Sequence, residues 1–317
     1  MGHWGWLIAV YLFLGGLGAG AYLSSFAAEK GILGKKTNLN RVGYYVSGPI
    51  VAFGALLLIT DLGQGLKKPW LIINMFLNFS SVMTWGIYIL TAFIFVALIK
   101  AYFVWKKRKA PDVLSYVGAI LALATAAYTG MLLTVVQGVP FWNSYLMPVV
   151  FVVSALSTGL SLTSLLAHFL EKHQAHEVRV SQVHLWLVSA EIIVLAAFFA
   201  IIYSSQGAVA KLSANLLLTE SLSLPFWLLL IILGLVGPLF FYIQQSRSYK
   251  KTTLLLLKEQ SLSQSADMLE EAKQGAGGSA KSRNILLLCD GAVMVGGLTL
   301  RCLIVFAALP VWNGLLI

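Results

Sequence analysis

Asp61 stands in GALLLITDLGQG (residues 54–65), directly behind Leu56, Leu57, Leu58, Ile59 and Thr60. A carboxylate in such company costs about 2.5–3.5 kcal/mol at the centre of a bilayer on insertion scales. Its retention therefore asks for a chemical reason. Tyr11, Ser80, Ser81, Trp85, Tyr128, Ser154, Ser157, Glu191, Asp290 and Arg301 share the same apolar setting. Burial brings a carboxyl into the range where it exchanges protons near neutral pH. A phenol donates a hydrogen bond to a carbonyl oxygen or accepts one from a hydroxyl. A carboxylate, two phenols and an arginine around an apolar cavity thus suit a proton-linked amphipathic ligand, such as a quinone, with a polar head and a lipid-like tail.

The elements that must carry these groups follow from composition. Of 317 residues, 59% are hydrophobic and only 11% are charged, and the mean hydropathy is +0.84. Apolar stretches of about 20 residues, the length that crosses a hydrocarbon core, recur along the sequence. We delimit eight: 5–27, 43–64, 74–104, 113–136, 146–170, 183–204, 224–245 and 285–309. The third is over-long and is expected to tilt or project. The predicted fold is all-α, one integral membrane domain over 1–317. MGHWGW lacks a basic n-region, which argues against a cleaved signal peptide.

The net charge of +10 is not a nucleic-acid signature, because most of the 22 basic residues fall in alternate loops: 28–42, 100–109, 172–179 and 247–283. The positive-inside rule then puts both termini on the outer face and the basic loops against inner-leaflet lipid. The long cytoplasmic loop 246–284 combines an amphipathic middle with GAGGSAKS, which reads as a solvated linker rather than a phosphate loop. Trp4, Trp6, Trp70, Trp142 and Trp312 form the expected outer aromatic belt, with Trp105 and Trp186 on the inner side. Gly16 and Gly20 form a GxxxG pair suited to close helix packing. Cys289 and Cys302 lie on one predicted helix about 20 Å apart, so they cannot bridge each other. They provide no cluster framework. With this orientation most of the intramembrane polar set lies in the outer half. Glu191 sits near mid-depth and Asp290 alone in the inner leaflet.

Seven motifs in order resemble the NrfD/PsrC family of membrane subunits from polysulfide reductase-like respiratory complexes. They are YLFLGGLGAGAYL (11–23), LLITDLGQG (57–65), SSVMTWGIYIL (80–90), AYTGMLL (127–133), PFWN (140–143), FVVSALSTG (151–159) and LRCLIV (300–305). The resemblance implies a quinone or quinol site, with menaquinone as the expected quinone, near the outer face of the cytoplasmic (inner) membrane. It implies no heme or metal in this chain. It also implies docking to a ferredoxin-like four-cluster iron–sulfur subunit beside a molybdopterin catalytic subunit in anaerobic respiration. By the same resemblance Asp61 matches the acidic site residue and Tyr128 the site tyrosine. Tyr11 matches the tyrosine that opens the first-helix motif, and His3 is the candidate for a first-helix histidine contact.

Other readings stay open at this level. Asp61 can snorkel outward to Lys67 or Lys68. Tyr11 and Tyr128 can be packing tyrosines. Glu191 and Arg301 can form a structural ion pair, or, with Asp290, mark a proton pathway. Asp290 can be a solvated or capping residue. His168 and His184 lie at similar depth on successive helices, which keeps a b-type cytochrome anchor as an alternative. Carboxylates at staggered depths keep a proton-coupled transporter.

Overall fold

Lipid offers the backbone no hydrogen-bond partners, so long apolar runs close their own bonds as helices. The computed structural model describes residues 5–33, 39–61, 81–170, 178–205, 207–247, 280–312 and 315–316. Its long helices are α1 (Trp6–Glu29), α2 (Leu39–Asp61), α3 (Val82–Trp105), α4 (Asp112–Thr134), α5 (Met147–Leu170) and α6 (Val178–Ser205). The short α7 (Ala208–Leu218) follows, then α8 (Ser223–Arg247) and α9 (Ala280–Phe306). Eight of these are long and apolar enough to cross a membrane. This is a multi-pass α-helical membrane protein.

Helix α1 is the axis of the packing. Of its apolar window 72% is buried, against 28% in α3 and in α6, so the latter two turn broad faces outward. It packs on α2, α4, α5 and α9, and α5 in turn packs on α4, α6 and α9. The α1–α5 crossing is made by small residues: a Cβ on Gly20 would collide with the Ala155 carbonyl, and one on Gly159 with the Gly20 backbone. Helices α8 and α9 meet similarly, a Cβ on Gly234 falling 2.6 Å from the Gly296 Cα. With no hydrophobic drive between helices in lipid, such backbone approach supplies dispersion contact that larger side chains would prevent.

Contacts identify the two ends of the bundle. At one, Trp6 meets Phe306 edge-on with ring centroids 4.9 Å apart. There Val311 donates to the Gly138 carbonyl at 2.8 Å, and Val311–Trp312 pairs antiparallel with Leu315–Leu316. At the other, Lys30 meets Asp112 at 2.8 Å. Just inside this Lys30 end the first four helices are tied through Glu29. Its carboxylate accepts from Lys100 at 2.9 Å, from Tyr44 at 2.6 Å and from Ser115 at 3.1 Å. Lys100, 3% exposed, also donates to Ser115 at 2.6 Å. The buried Lys100 ammonium stands because Glu29, itself partly exposed, and Ser115 both engage it.

Helix α8 winds as a π-helix over Phe226–Val236, closed by the Gly237 N–H donating to Ile232 O. Pro238 follows immediately. In an α-helix its ring would strike the carbonyl four residues back, and the wider turns move that carbonyl aside.

The third span is described as α3 over 24 residues, about 36 Å of rise; its expected leading residues 74–80 lie outside the described set. Between the sixth and seventh spans lies the short helix α7. One expectation, the placement of Trp142, is revised. Trp142 is not a belt residue: it is 1% exposed and its indole donates to Ile304 O at 2.8 Å. The loop readings for 248–279 lie outside the described residues.

Gly20→Ala should lower the thermal unfolding midpoint in detergent, since its Cβ meets backbone that cannot yield; overpacking costs about 1–3 kcal/mol. Gly291, with open space around its Cβ position, should accept Ala with no loss. Equal midpoints for the two variants would refute the packing argument.

Candidate functional site

At the Trp6 end Tyr11 of α1 is 0% exposed, and its hydroxyl has no hydrogen-bond partner among the described residues. Tyr128 of α4 lies within electrostatic reach of it. Its ring occupies the space that a Cβ on Gly86 of α3 would take, so one glycine sets where that phenol stands. Helix α2 packs beside Tyr11, the Cβ position of Gly54 lying 3.6 Å from Tyr11 O. Asp61 closes α2 seven residues later, about 10 Å further toward the Trp6 end. Its backbone is thus on the same side as the two phenols, while its side chain lies outside the described set. His3, Lys67, Lys68 and Ser80 also lie outside it. The structure brings Tyr11 and Tyr128 together.

Arg301 of α9 is wholly buried and joins three helices. Its Nε donates to Leu12 O of α1 at 3.2 Å. Its Nη1 donates to Ser154 Oγ of α5 at 3.0 Å and to Gly297 O of its own helix at 2.9 Å. The guanidinium lies 5.7 Å from the Phe13 ring centre and 5.3 Å from that of Phe151. Gly16 leaves it room, since a Cβ there would come within 2.6 Å of Nη2. Glu191 of α6, 4% exposed, faces Ser154, Ser157 and the Arg301 charge. Ser154 therefore stands between cation and carboxylate.

A second buried group lies toward the Lys30 end. Asp290 of α9 is 0% exposed, which overturns its reading as a solvated or capping residue. It accepts from the Tyr242 hydroxyl of α8 at 2.9 Å and lies 3.6 Å from His184 Nε2 of α6. His184 stacks on Tyr242, centroids 4.9 Å apart and planes at 18°, and its Nε2 is 3.3 Å from Ser164 Oγ of α5. His184 enters the sequence reading only as half of an axial heme pair with His168, and Tyr242 does not enter it. The signal is present in α5, where Ser154, Ser157, Ser161 and Ser164 share one helical face. His184 thus directs Nε2 at both Ser164 and Asp290. Among the described residues no group of three or more His, Cys, Asp or Glu could hold a metal ion.

A family model described as "Polysulphide reductase, NrfD" matches residues 2–258. The protein belongs to the NrfD polysulphide reductase family. The C subunit of polysulfide reductase from Wolinella succinogenes is 31% identical over 260 residues, spanning 74% of this sequence and 81% of that protein. The NrfD homolog of Haemophilus influenzae is 25% identical, spanning 80% and 88%, and NrfD of Escherichia coli 27%, spanning 62% and 70%. The family match takes in Tyr11, Asp61, Tyr128, His184 and Glu191. Asp290 and Arg301, both on α9, stand beyond it in this NrfD-family protein.

Arg301→Met should lower the unfolding midpoint markedly, since removing one partner of a buried pair costs about 3–5 kcal/mol. Adding Glu191→Gln should recover a substantial part of the loss. If the double variant is no more stable than Arg301→Met, the two groups are not electrostatically coupled.

Proposed function

We propose that this protein is the quinone-reactive membrane subunit of a respiratory oxidoreductase complex. The observation that carries the reading is the Tyr11 hydroxyl, wholly buried beside Tyr128 and with no partner among the described residues. Leaving a hydroxyl unsatisfied in an apolar interior costs about 1–3 kcal/mol, and a ligand oxygen would relieve it. Family membership, and the name of its Wolinella relative, support a subunit of a larger complex. The iron–sulfur partner with four ferredoxin-like clusters, the molybdopterin enzyme beyond it, menaquinone, and the cytoplasmic membrane with the Trp6 end outward belong to the same proposal.

Oxidation of a quinol supplies two electrons and two protons. In this reading Tyr11 and Tyr128 hold the head-group oxygens from opposite helices, α1 and α4. Asp61, at the end of α2, accepts a hydroxyl proton and passes it to the aqueous phase at the Trp6 end. The electrons leave to a cluster docked at that end. By the family resemblance, His3 is the candidate for a further head-group contact.

Asp61→Asn keeps shape and hydrogen bonding but not proton exchange, so quinol-linked turnover should vanish while the partner subunits still copurify. Near-parental turnover would reduce Asp61 to a structural residue. Tyr128→Phe removes one neutral hydrogen bond, worth about 0.5–1.5 kcal/mol, so quinol affinity should fall several-fold with little change in folding. Unchanged affinity in both Tyr128→Phe and Tyr11→Phe would displace the site from this pair.

A further inference from the structure

Helix α5 carries a wholly buried hydroxyl face, Ser154, Ser157, Ser161 and Ser164, over about 15 Å of rise. At its Trp6-end side this face meets Glu191 and Arg301 through Ser154 and Ser157. At the other it meets Tyr242 through Ser161 and His184 through Ser164. Tyr242 and His184 both converge on Asp290. The groups come from every helix packed around this line: the serines from α5, His184 and Glu191 from α6, Tyr242 from α8, and Cys289, Asp290 and Arg301 from α9. One turn nearer the Lys30 end Ser181 donates to Gln245 at 2.8 Å, and Gln245 is half-buried, so the line reaches toward the surface there.

One observation sets this line apart from the saturated group around Glu29. Ser157 and Ser161, though enclosed, have hydroxyls that close no hydrogen bond of ordinary length with any described residue. A structural network satisfies its members, as the Glu29–Lys100–Tyr44–Ser115 group does at the same end of the first four helices. Here Ser157 faces Glu191 and Ser161 faces Tyr242 without closing such a saturated set.

We propose that this face of α5, with Glu191, Tyr242, His184 and Asp290, is a proton-conducting seam from the Lys30 end to the level of Glu191, with Asp290 and His184 as its loading site. A proton taken up by that pair moves by exchange. Each hydroxyl accepts a proton on its oxygen and releases its own to the next, so the serines and Tyr242 are unchanged, Glu191 ends protonated and the pair returns to its starting state. The rise between Ser157 and Ser161 is about 6 Å, which rotation of the two serine side chains or a bridging water closes. Arg301 holds the far end by fixing Ser154 and facing Glu191. The seam goes beyond the quinone reading and uses none of Tyr11, Tyr128 or Asp61.

The test is time-resolved infrared hydrogen–deuterium exchange on the full-length protein reconstituted in phospholipid vesicles, with the carboxyl bands assigned by Glu191→Gln and Asp290→Asn. Exchange at Glu191 should slow by about a hundredfold in Asp290→Asn and in Tyr242→Phe, the scale of a lost proton-transfer group. His184→Gln, which keeps a polar group beside Asp290, should displace the titration midpoint of the Asp290 band by about one pH unit or more. Tyr242→Phe removes a single oxygen, so a folded protein is retained even where Asp290→Asn fails to assemble. Asp61→Asn should leave every one of these rates at the parental value, which separates failure of the seam from failure of the quinone site. Parental Glu191 exchange in Tyr242→Phe, or an Asp290 band indifferent to His184→Gln, overturns the proposal.

Discussion

A guanidinium removed from water must find its hydrogen bonds and its counter-charge inside the bundle or not stand there at all. Arg301 answers that constraint through Nε and Nη1, which reach α1, α5 and its own helix, and through the facing Glu191 of α6, while its Nη2 closes no hydrogen bond among the described residues. The demand propagates. Gly16 has to be glycine-sized where Nη2 arrives, and Leu12 has to present a carbonyl sideways out of its helix. Ser154 has to be a hydroxyl, because it serves the cation and the carboxylate at once. The crossing of α1 and α5 at Gly20 and Gly159 brings these parts within reach. Packing and electrostatics at the centre of the protein are therefore one arrangement.

The two halves of the protein handle buried polarity in opposite ways. In α1–α4 the ion pair of Glu29 and Lys100 is saturated, with Tyr44 and Ser115 filling the remaining positions. Such a group fixes four helices and gives no group freedom to change partner. In α5–α9 the carboxylates are spread along the helix axis, with neutral hydroxyls between them. Helix α1 packs against both sets.

The spans were legible because a bilayer imposes length and hydropathy directly on sequence. The expected spans fall on the helices that form, and α3 differs where its leading residues are undescribed. Depth was legible as well, since antiparallel helices convert position in sequence into height. Azimuth was not. Whether Asp290 looks out or in depends on how α9 is turned against α8, and no periodicity distinguishes a capping aspartate from an enclosed one. Trp142 was misjudged for the same reason. Tyr11 and Tyr128 were found through the family resemblance, while their proximity comes from the packing of α1 against α4 and the gap at Gly86.

The wide winding of α8 has a bearing on how this helix can change over evolutionary time. Gly234 is pinned against Gly296 on one side of Pro238, and Tyr242 is pinned against Asp290 on the other. Loss of a single residue between Phe226 and Val236 would tighten the coil toward an α-helix and turn everything after it by about 100°. Tyr242 would then leave Asp290 while the apolar length of the helix stayed sufficient to cross the bilayer. A one-residue deletion would pass unnoticed in a hydropathy plot and still disconnect the two ends of α8. The segment is accordingly a phase adjuster: its residue count, more than the identity of any one of its side chains, sets the alignment of the chemistry below it.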